Sequence, residues 1–190
     1  MAYDLKNVFY LGFFHEYSNG AWTAKDSVQP IDVSAYVDPI SKGRARGQGL
    51  AVYRVSHQLT SAGGDPIESD ETAQMTMALS VKPYTTTGDI IDTIADGDLM
   101  PSSDLVIQSD QFVGSGTTSA VANSAIGNLL IETCSPTEKV PYVVVRDTIF
   151  AIMSSGKAIN ADIKTGYRLE CAMISLDTAT LNQLLRTQTA

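Results

Sequence analysis

Two long apolar runs near the C-terminal end carry the clearest pattern of hydrophobic and polar positions in the chain. In the run 161–176, apolar and charged residues alternate. Because successive side chains of a strand point to opposite faces, this predicts one buried and one solvated face. The run 140–153 is apolar on both parities, which predicts a strand covered on both sides, with a neighbouring subunit as a candidate cover. The predicted buried face of 161–176 holds Ile163, Tyr167, Leu169, Cys171 and Met173.

Shorter alternating runs upstream bring the predicted strands to about seven or eight. These runs span 28–37, 50–59, 72–81, 104–113 and 128–134. In 50–59 the residues expected to share one face are Ala51, Tyr53, Val55, His57 and Leu59. In 72–81 they are Ala73, Met75, Met77, Leu79 and Val81. The side chains that we expect to be buried are Met75, Met77, Leu79, Leu169, Cys171 and Met173.

One internal segment changes to the spacing of a helix. Ile90, Ile91 and Ile94 recur at helical intervals, so we predict a short crossover helix near residues 89–96. The connection 84–103 that contains it is long for a hairpin. Long crossovers are expected where strands pass from one sheet to another, as they do in a jelly roll.

The C-terminal segment predicts a second short helix, from Thr178 to about Arg186. Asp177 or Thr178 can cap it, because a short oxygen-bearing side chain accepts from the free amides of the first turn. Its apolar stripe consists of Leu181, Leu184 and Leu185. A helix this short is marginal alone in water, so the stripe must pack on its own sandwich or on a neighbouring subunit. Because the run 143–153 is apolar on both faces and also needs a second cover, packing of the stripe on a neighbouring subunit is favoured.

Together these elements predict an all-β fold, an antiparallel β-sandwich in the form of a single jelly roll. We expect one domain over residues 1–190, with an aromatic segment or hairpin at 1–27 and a helix and tail at 177–190. The aromatic segment opens with a strand pair closed by the Asn19-Gly20 turn signal, or it is exposed and docks onto a partner or a lipid surface.

Charge narrows the classes of partner. The net charge of the chain is −8, and its basic residues form no run. Proteins that hold nucleic acid directly usually present a basic face or arm, so we expect no direct nucleic-acid partner. The segment 8–14 is too short for a signal peptide and no run is long enough to cross a bilayer, so we expect a protein made in the cytoplasm and not secreted.

The sequence holds no pattern typical of catalysis. Its two histidines, His15 and His57, form no HxH or HExxH pattern, and no GxSxG is present. We therefore expect no enzymatic activity, no cofactor and no metal. Cys134 and Cys171 are expected to be buried free thiols, with a disulfide between neighbouring strands as the alternative.

The strand layout from Ile31 to Leu176, the chain length and the helix after the last strand resemble a family of viral proteins. These are the single jelly-roll major capsid proteins of icosahedral viruses of bacteria and archaea that enclose an internal membrane. The resemblance implies a virion shell subunit that self-assembles through its sandwich edges and C-terminal helix, with itself and other capsid proteins as partners. A membrane would then lie between shell and genome. The residues expected at the assembly interface are Phe13, Phe14, Trp22, Leu181, Leu184 and Leu185.

A carbohydrate- or receptor-binding β-sandwich, such as a spike or fibre head, is the alternative. Aromatic rings can stack on sugars, and the same rings can equally serve a core or an interface. The candidates for a sugar-stacking surface are Trp22, Tyr36, Tyr53, Tyr84 and Tyr142.

Overall fold

A computed structural model of the chain contains nine strands and a C-terminal helix in its described part. It describes residues 8–17, 25–38, 46–61, 73–82, 103–114, 129–155 and 162–189. The first five strands are β1 (Phe9–Tyr17), β2 (Lys25–Asp32), β3 (Arg46–Ser61), β4 (Ala73–Ser80) and β5 (Val106–Gly114). The remaining elements are β6 (Leu129–Cys134), β7 (Tyr142–Val144), β8 (Thr148–Ser155), β9 (Ile163–Asp177) and the helix α1 (Thr178–Thr189).

The strands pair from the two ends of the chain inward. β1 pairs with β9, β2 with β8, β3 with β7, and β4 with β5, all antiparallel. Such a chain is one long folded hairpin, and rolling it up brings β9 beside β3 and β8 beside β4. The result is two sheets, ordered β1-β9-β3-β7 and β2-β8-β4-β5-β6. This is the eight-strand jelly roll with β6 added, and it confirms the predicted fold class.

The inner faces of the two sheets enclose the main core. Five of the six side chains expected to be buried are buried: Met75, Met77, Leu79, Leu169 and Cys171. The prediction for Met173 was wrong, since its side chain is 47% exposed. After Cys171 the buried positions of β9 move from odd to even residues, because the opposite face is covered there and Leu176 packs beneath α1.

A β-bulge in β3 overturns the face predicted for 50–59. The register between β3 and β9 skips Tyr53, stepping from Val52 opposite Cys171 to Arg54 opposite Glu170. An extra residue reverses the alternation of faces. Leu50 and Val52 therefore enter the main core before the bulge and Val55 enters it afterwards. Ala51 and Tyr53 pack in a separate cluster on the other face of the sheet.

The apolar run 140–153 is two strands rather than one. It breaks after Val144, and β7 and β8 belong to different sheets. Val144 faces the main core, whereas Val145 packs with Leu176 and Leu181 beneath α1. The second cover that the run needs is therefore supplied by the helix of the same chain.

The predicted C-terminal helix is confirmed, and its apolar stripe lies on its own sandwich. The Asp177 carboxylate accepts from the Thr180 amide at 2.8 Å, which caps the first turn. Leu181 is buried, and Leu184 and Leu185 are half-buried in the same cluster. A Cβ on Gly47 would lie 2.5 Å from Leu181 Cδ2, so the close approach of α1 to β3 requires a glycine there.

One helix side chain completes the edge strand β7. Gln188 accepts from the Val145 amide at 3.1 Å and donates to the Val143 carbonyl at 2.6 Å. Arg146 Nη1 donates to the Gln188 backbone carbonyl at 2.9 Å. The Gln188 amide thus occupies the place of a neighbouring strand and satisfies one backbone group of β7 and one of Val145, the residue that follows it.

Several predicted features lie outside the described residues. They are the Asn19-Gly20 turn, the crossover helix at 89–96, Trp22 and Tyr84. The strands on either side of that turn, β1 and β2, do not pair with each other, because they belong to different sheets. None of the helical segments that the structure describes has the length and hydropathy needed to cross a membrane.

Replacing Leu169 by alanine should lower the free energy of unfolding by about 2–5 kcal/mol, because the truncation leaves a cavity between the sheets. Met173→Ala on the same strand is the control and should cost under about 1 kcal/mol, since that side chain is largely in solvent. Urea titrations of the two variants measure the difference. Equal losses would contradict the assigned faces of β9.

Gln188→Ala should cost about 1–3 kcal/mol, because it leaves the Val143 carbonyl and the Val145 amide without their partner. Gln183→Ala removes the same amide from an exposed position of α1 and should be nearly neutral. Thermal unfolding of both variants, followed by circular dichroism, compares them. A neutral Gln188→Ala would mean that water replaces the amide at β7.

Candidate functional site

The predicted interface residues that the structure describes do not form one surface, and Trp22 lies outside the described residues. Phe13 faces the core and stacks on Tyr167, with ring centroids 5.2 Å apart. Leu181, Leu184 and Leu185 of α1 are held between the helix and the sandwich. Phe14 is the exposed member, with 54% of its side chain accessible. The leucine stripe, which was expected to contact a neighbouring subunit, packs on the sandwich of its own chain, and an assembly role for its half-buried members stays a prediction.

The outer face of β1 instead presents a row of aromatic rings covered by cations. Tyr10 is 56% exposed, and the Arg168 guanidinium lies 3.9 Å from the centre of its ring. Lys164 Nζ lies 4.9 Å from the centre of the Phe14 ring and also pairs with Glu16. Such cation–π contacts are weak in water and gain strength when desolvated.

Further exposed apolar side chains lie at the other end of the sandwich. Leu130 and Ile131 of β6 are exposed, and Val140 is 73% exposed. β1 lies over β2, as the 2.8 Å contact between His15 and Ser27 shows. β6 is the outer strand beyond β5, so the two exposed apolar groups are at opposite ends.

A buried polar cluster joins the two sheets near β6. His57 Nε2 of β3 lies 3.4 Å from Asp110 Oδ2 of β5. Gln108 also donates to that carboxylate oxygen. Burial raises the pKa of Asp110 to about 6, and the nearby His57 acts in the opposite direction. A carboxylate fully enclosed between two sheets is costly unless something balances its charge.

Glu132 completes this cluster from the rim. It pairs directly across from Asp110 in the β5–β6 ladder and is exposed. One ligand atom each from His57, Asp110 and Glu132 lies within 4.8 Å of the others. A groove of about 500 Å³, lined in part by Ser56 and Pro136, reaches two of its members, His57 and Glu132.

Sequence reasoning missed this cluster, because its members come from three separate strands. The one local signal was Asp110, a carboxylate in an otherwise neutral strand at a position that faces inward. The second histidine, His15, is buried beside Ser27, and none of the described residues forms a hydrogen bond with its Nδ1. A nucleophile and a base therefore meet there, but without a carboxylate on Nδ1 to orient the imidazole.

The remaining predicted sites separate in the structure. Cys134 and Cys171 are both free thiols, on strands of different sheets. Tyr53 is buried, and Tyr36 stacks on Phe9 with centroids 5.0 Å apart. Tyr142 donates to the Asp104 carbonyl at 2.7 Å. These three tyrosines are engaged within the chain and do not line a common sugar-stacking surface.

The fold is similar to solved structures of viral capsid proteins. Merkel cell polyomavirus VP1 in complex with 3′-sialyllactosamine is 7% identical, with a TM-score of 0.43, covering 90% of this chain and 96% of that one. VP1 of the same virus in complex with disialyllactose is 7% identical, with a TM-score of 0.39, covering 89% and 96%. Desmodium yellow mottle tymovirus is 9% identical, with a TM-score of 0.34, covering 86% of each chain. No protein-family profile and no curated protein sequence matches the chain.

His15 should make the protein less stable in mild acid. Burial lowers its pKa from 6.5 to about 4, so between these values the unfolded chain binds a proton that the folded chain does not. The free energy of unfolding therefore falls as the pH falls, by about 2 kcal/mol from this group between pH 7 and pH 5. His15→Gln does not titrate and should lose about 2 kcal/mol less over that interval in urea titrations. Parallel losses would contradict the assignment.

Proposed function

We propose that the chain is a structural subunit of a viral capsid that assembles with copies of itself. The observation that carries the proposal is the pair of exposed apolar groups at opposite ends of the jelly roll. The exposed group at one end consists of Tyr10 and Phe14 and is called the β1 end. The group at the other end consists of Leu130, Ile131 and Val140 and is called the β6 end. Exposed apolar side chains at both ends suit contacts with further copies of the chain, because burying them there removes apolar area from water.

Two different patches on opposite ends favour head-to-tail contacts. When one copy's β1 end meets the next copy's β6 end, each copy keeps one patch for a further neighbour. Such heterologous contacts close into rings when the rotation between copies permits it. Rings and shells need this property, whereas a symmetric dimer buries the same patch on both copies.

The finer assignment is to the capsid proteins of icosahedral viruses with an internal membrane, and it rests on charge and composition. Residues 1–27 hold aromatic side chains rather than a basic run, and the net charge of the chain is −8. A shell of such subunits attracts nucleic acid poorly. A layer between shell and genome, such as a membrane, meets that condition, and other capsid proteins can share the shell.

The alternative of a sugar-binding head gains less support. It requires exposed aromatic rings that are free to stack on a ligand. The described candidates Tyr36, Tyr53 and Tyr142 are occupied by ring stacking, burial and a backbone hydrogen bond. The exposed rings of Tyr10 and Phe14 are each covered by a cation.

Mixing two end variants tests the head-to-tail arrangement. The full chain should form rings or particles by native mass spectrometry and negative-stain microscopy. Phe14→Asp and Ile131→Asp should each abolish them, because a charge in a desolvated contact is costly. Mixed together, the two variants should form a dimer through their intact ends and nothing larger. Asn182→Asp, an exposed position of α1, is the control and should assemble normally.

Three results would contradict the proposal. The first is a full chain that stays monomeric at every concentration at which it remains folded. The second is normal assembly by both end variants. The third is a dimer formed by one variant alone with no mixed species, which would indicate a symmetric contact. Circular dichroism of each variant verifies that it is folded.

A further inference from the structure

Four buried polar atoms around Asp110 have no hydrogen-bond partner among the described residues. They are His57 Nδ1, Gln108 Oε1, Asp110 Oδ1 and the Tyr167 hydroxyl. Asp110 itself is fully enclosed and lies 3.4 Å from His57, whose ring centroid is 6.5 Å from that of Tyr167, so these groups lie near one another. Buried polar groups are almost always satisfied by protein, water or an ion. Asp110 Oδ1 therefore has capacity for a further ligand between the sheets, whereas Oδ2 faces His57 and accepts from Gln108.

Like charge adds to this requirement. Asp110 and Glu132 are directly opposite in an antiparallel ladder, which brings their side chains together on one face. Two carboxylates in that position repel each other unless a cation or a proton lies between them. A single proton shared with His57 balances one of the two charges, whereas a divalent cation balances both.

We propose that His57, Asp110 and Glu132 bind a divalent transition-metal ion of the zinc type. One imidazole nitrogen and two carboxylate oxygens are donors that zinc accepts in proteins, with water in the remaining position. Calcium takes six to eight oxygen ligands and suits this set poorly.

The geometry fits such an ion with a small movement. Bonds of about 2.0–2.1 Å in a tetrahedron separate neighbouring donor atoms by about 3.4 Å. His57 Nε2 and Asp110 Oδ2 are 3.4 Å apart. The three donor atoms lie within 4.8 Å, and rotation of the exposed Glu132 side chain can close the remaining gap. The groove lined by Ser56 and Pro136 supplies an entry path and room for a water ligand.

A bound ion would fasten β3 of one sheet to the paired strands β5 and β6 of the other. His57 is on the four-stranded sheet, whereas Asp110 and Glu132 are on the five-stranded sheet. Because the unfolded chain does not hold these residues together, an ion bound to the folded state stabilises it by mass action. The site is independent of the proposed capsid role, since each of its ligands comes from the same chain.

Titration of the metal-free chain with ZnCl2 tests the proposal. After dialysis against a chelator, calorimetry should give one zinc ion per chain, and the melting temperature should rise with zinc concentration. Cobalt(II) should give the intense visible absorption of a tetrahedral site. Calcium chloride at the same concentrations should do neither. Tighter binding of calcium than of zinc would overturn the choice of ion.

Matched variants locate the site. Glu132→Gln removes an exposed ligand and also the charge opposite Asp110, so it should weaken zinc binding at least tenfold without lowering the metal-free melting temperature. Glu138→Gln alters an exposed carboxylate on the same groove outside the cluster and should bind normally. Cys134→Ser tests whether the neighbouring thiol is the ligand and should also bind normally. Absence of one-to-one binding, unchanged binding by Glu132→Gln, or loss of binding in Cys134→Ser would overturn the proposal.

Discussion

The antiparallel pairing of β3 with β9 is the contact on which the rest of the sandwich depends. These are the two longest strands, and they pair from Arg46 opposite Asp177 to Ser61 opposite Ile163. β1 is added to the free side of β9 and β7 to the free side of β3. The same pairing sets His57 beside Tyr167 and leads β9 directly into α1. Pairing of strands so distant in sequence closes a long loop, which makes it the slow and entropically costly part of folding.

The sheet built on this pairing is covered on both faces over part of its length. The main core lies on one face, and α1 with its leucine stripe lies on the other. The bulge at Tyr53 and the shift of burial after Cys171 accommodate this change, because each moves apolar side chains to the face that is covered locally.

Alternation in the sequence predicted the buried face correctly for strands that are covered on one face only. It failed where the opposite sheet covers one face and α1 covers the other. The pattern of Leu169 and Cys171 was sufficient because their face meets the opposite sheet throughout. Val144 and Val145 gave no such signal, since both are apolar and each is buried by a different partner. The polar cluster as a whole could not be read from the sequence, in which Asp110 alone gave a local signal. Its three members are brought together by pairing and by sheet packing, which leave no trace in local spacing.

Gln188 makes the two edges of the four-stranded sheet different. A foreign strand that reaches β7 finds the Val143 carbonyl and the Val145 amide already bound by a side chain that is covalently attached to the same molecule. A competing peptide must therefore displace α1, and with it the burial of Leu181, before it can extend the sheet there. Strand addition at the β7 edge of this sheet is therefore blocked by the molecule's own helix. At the opposite edge, β1, unwanted strand addition has to be prevented by the side chains of β1 itself.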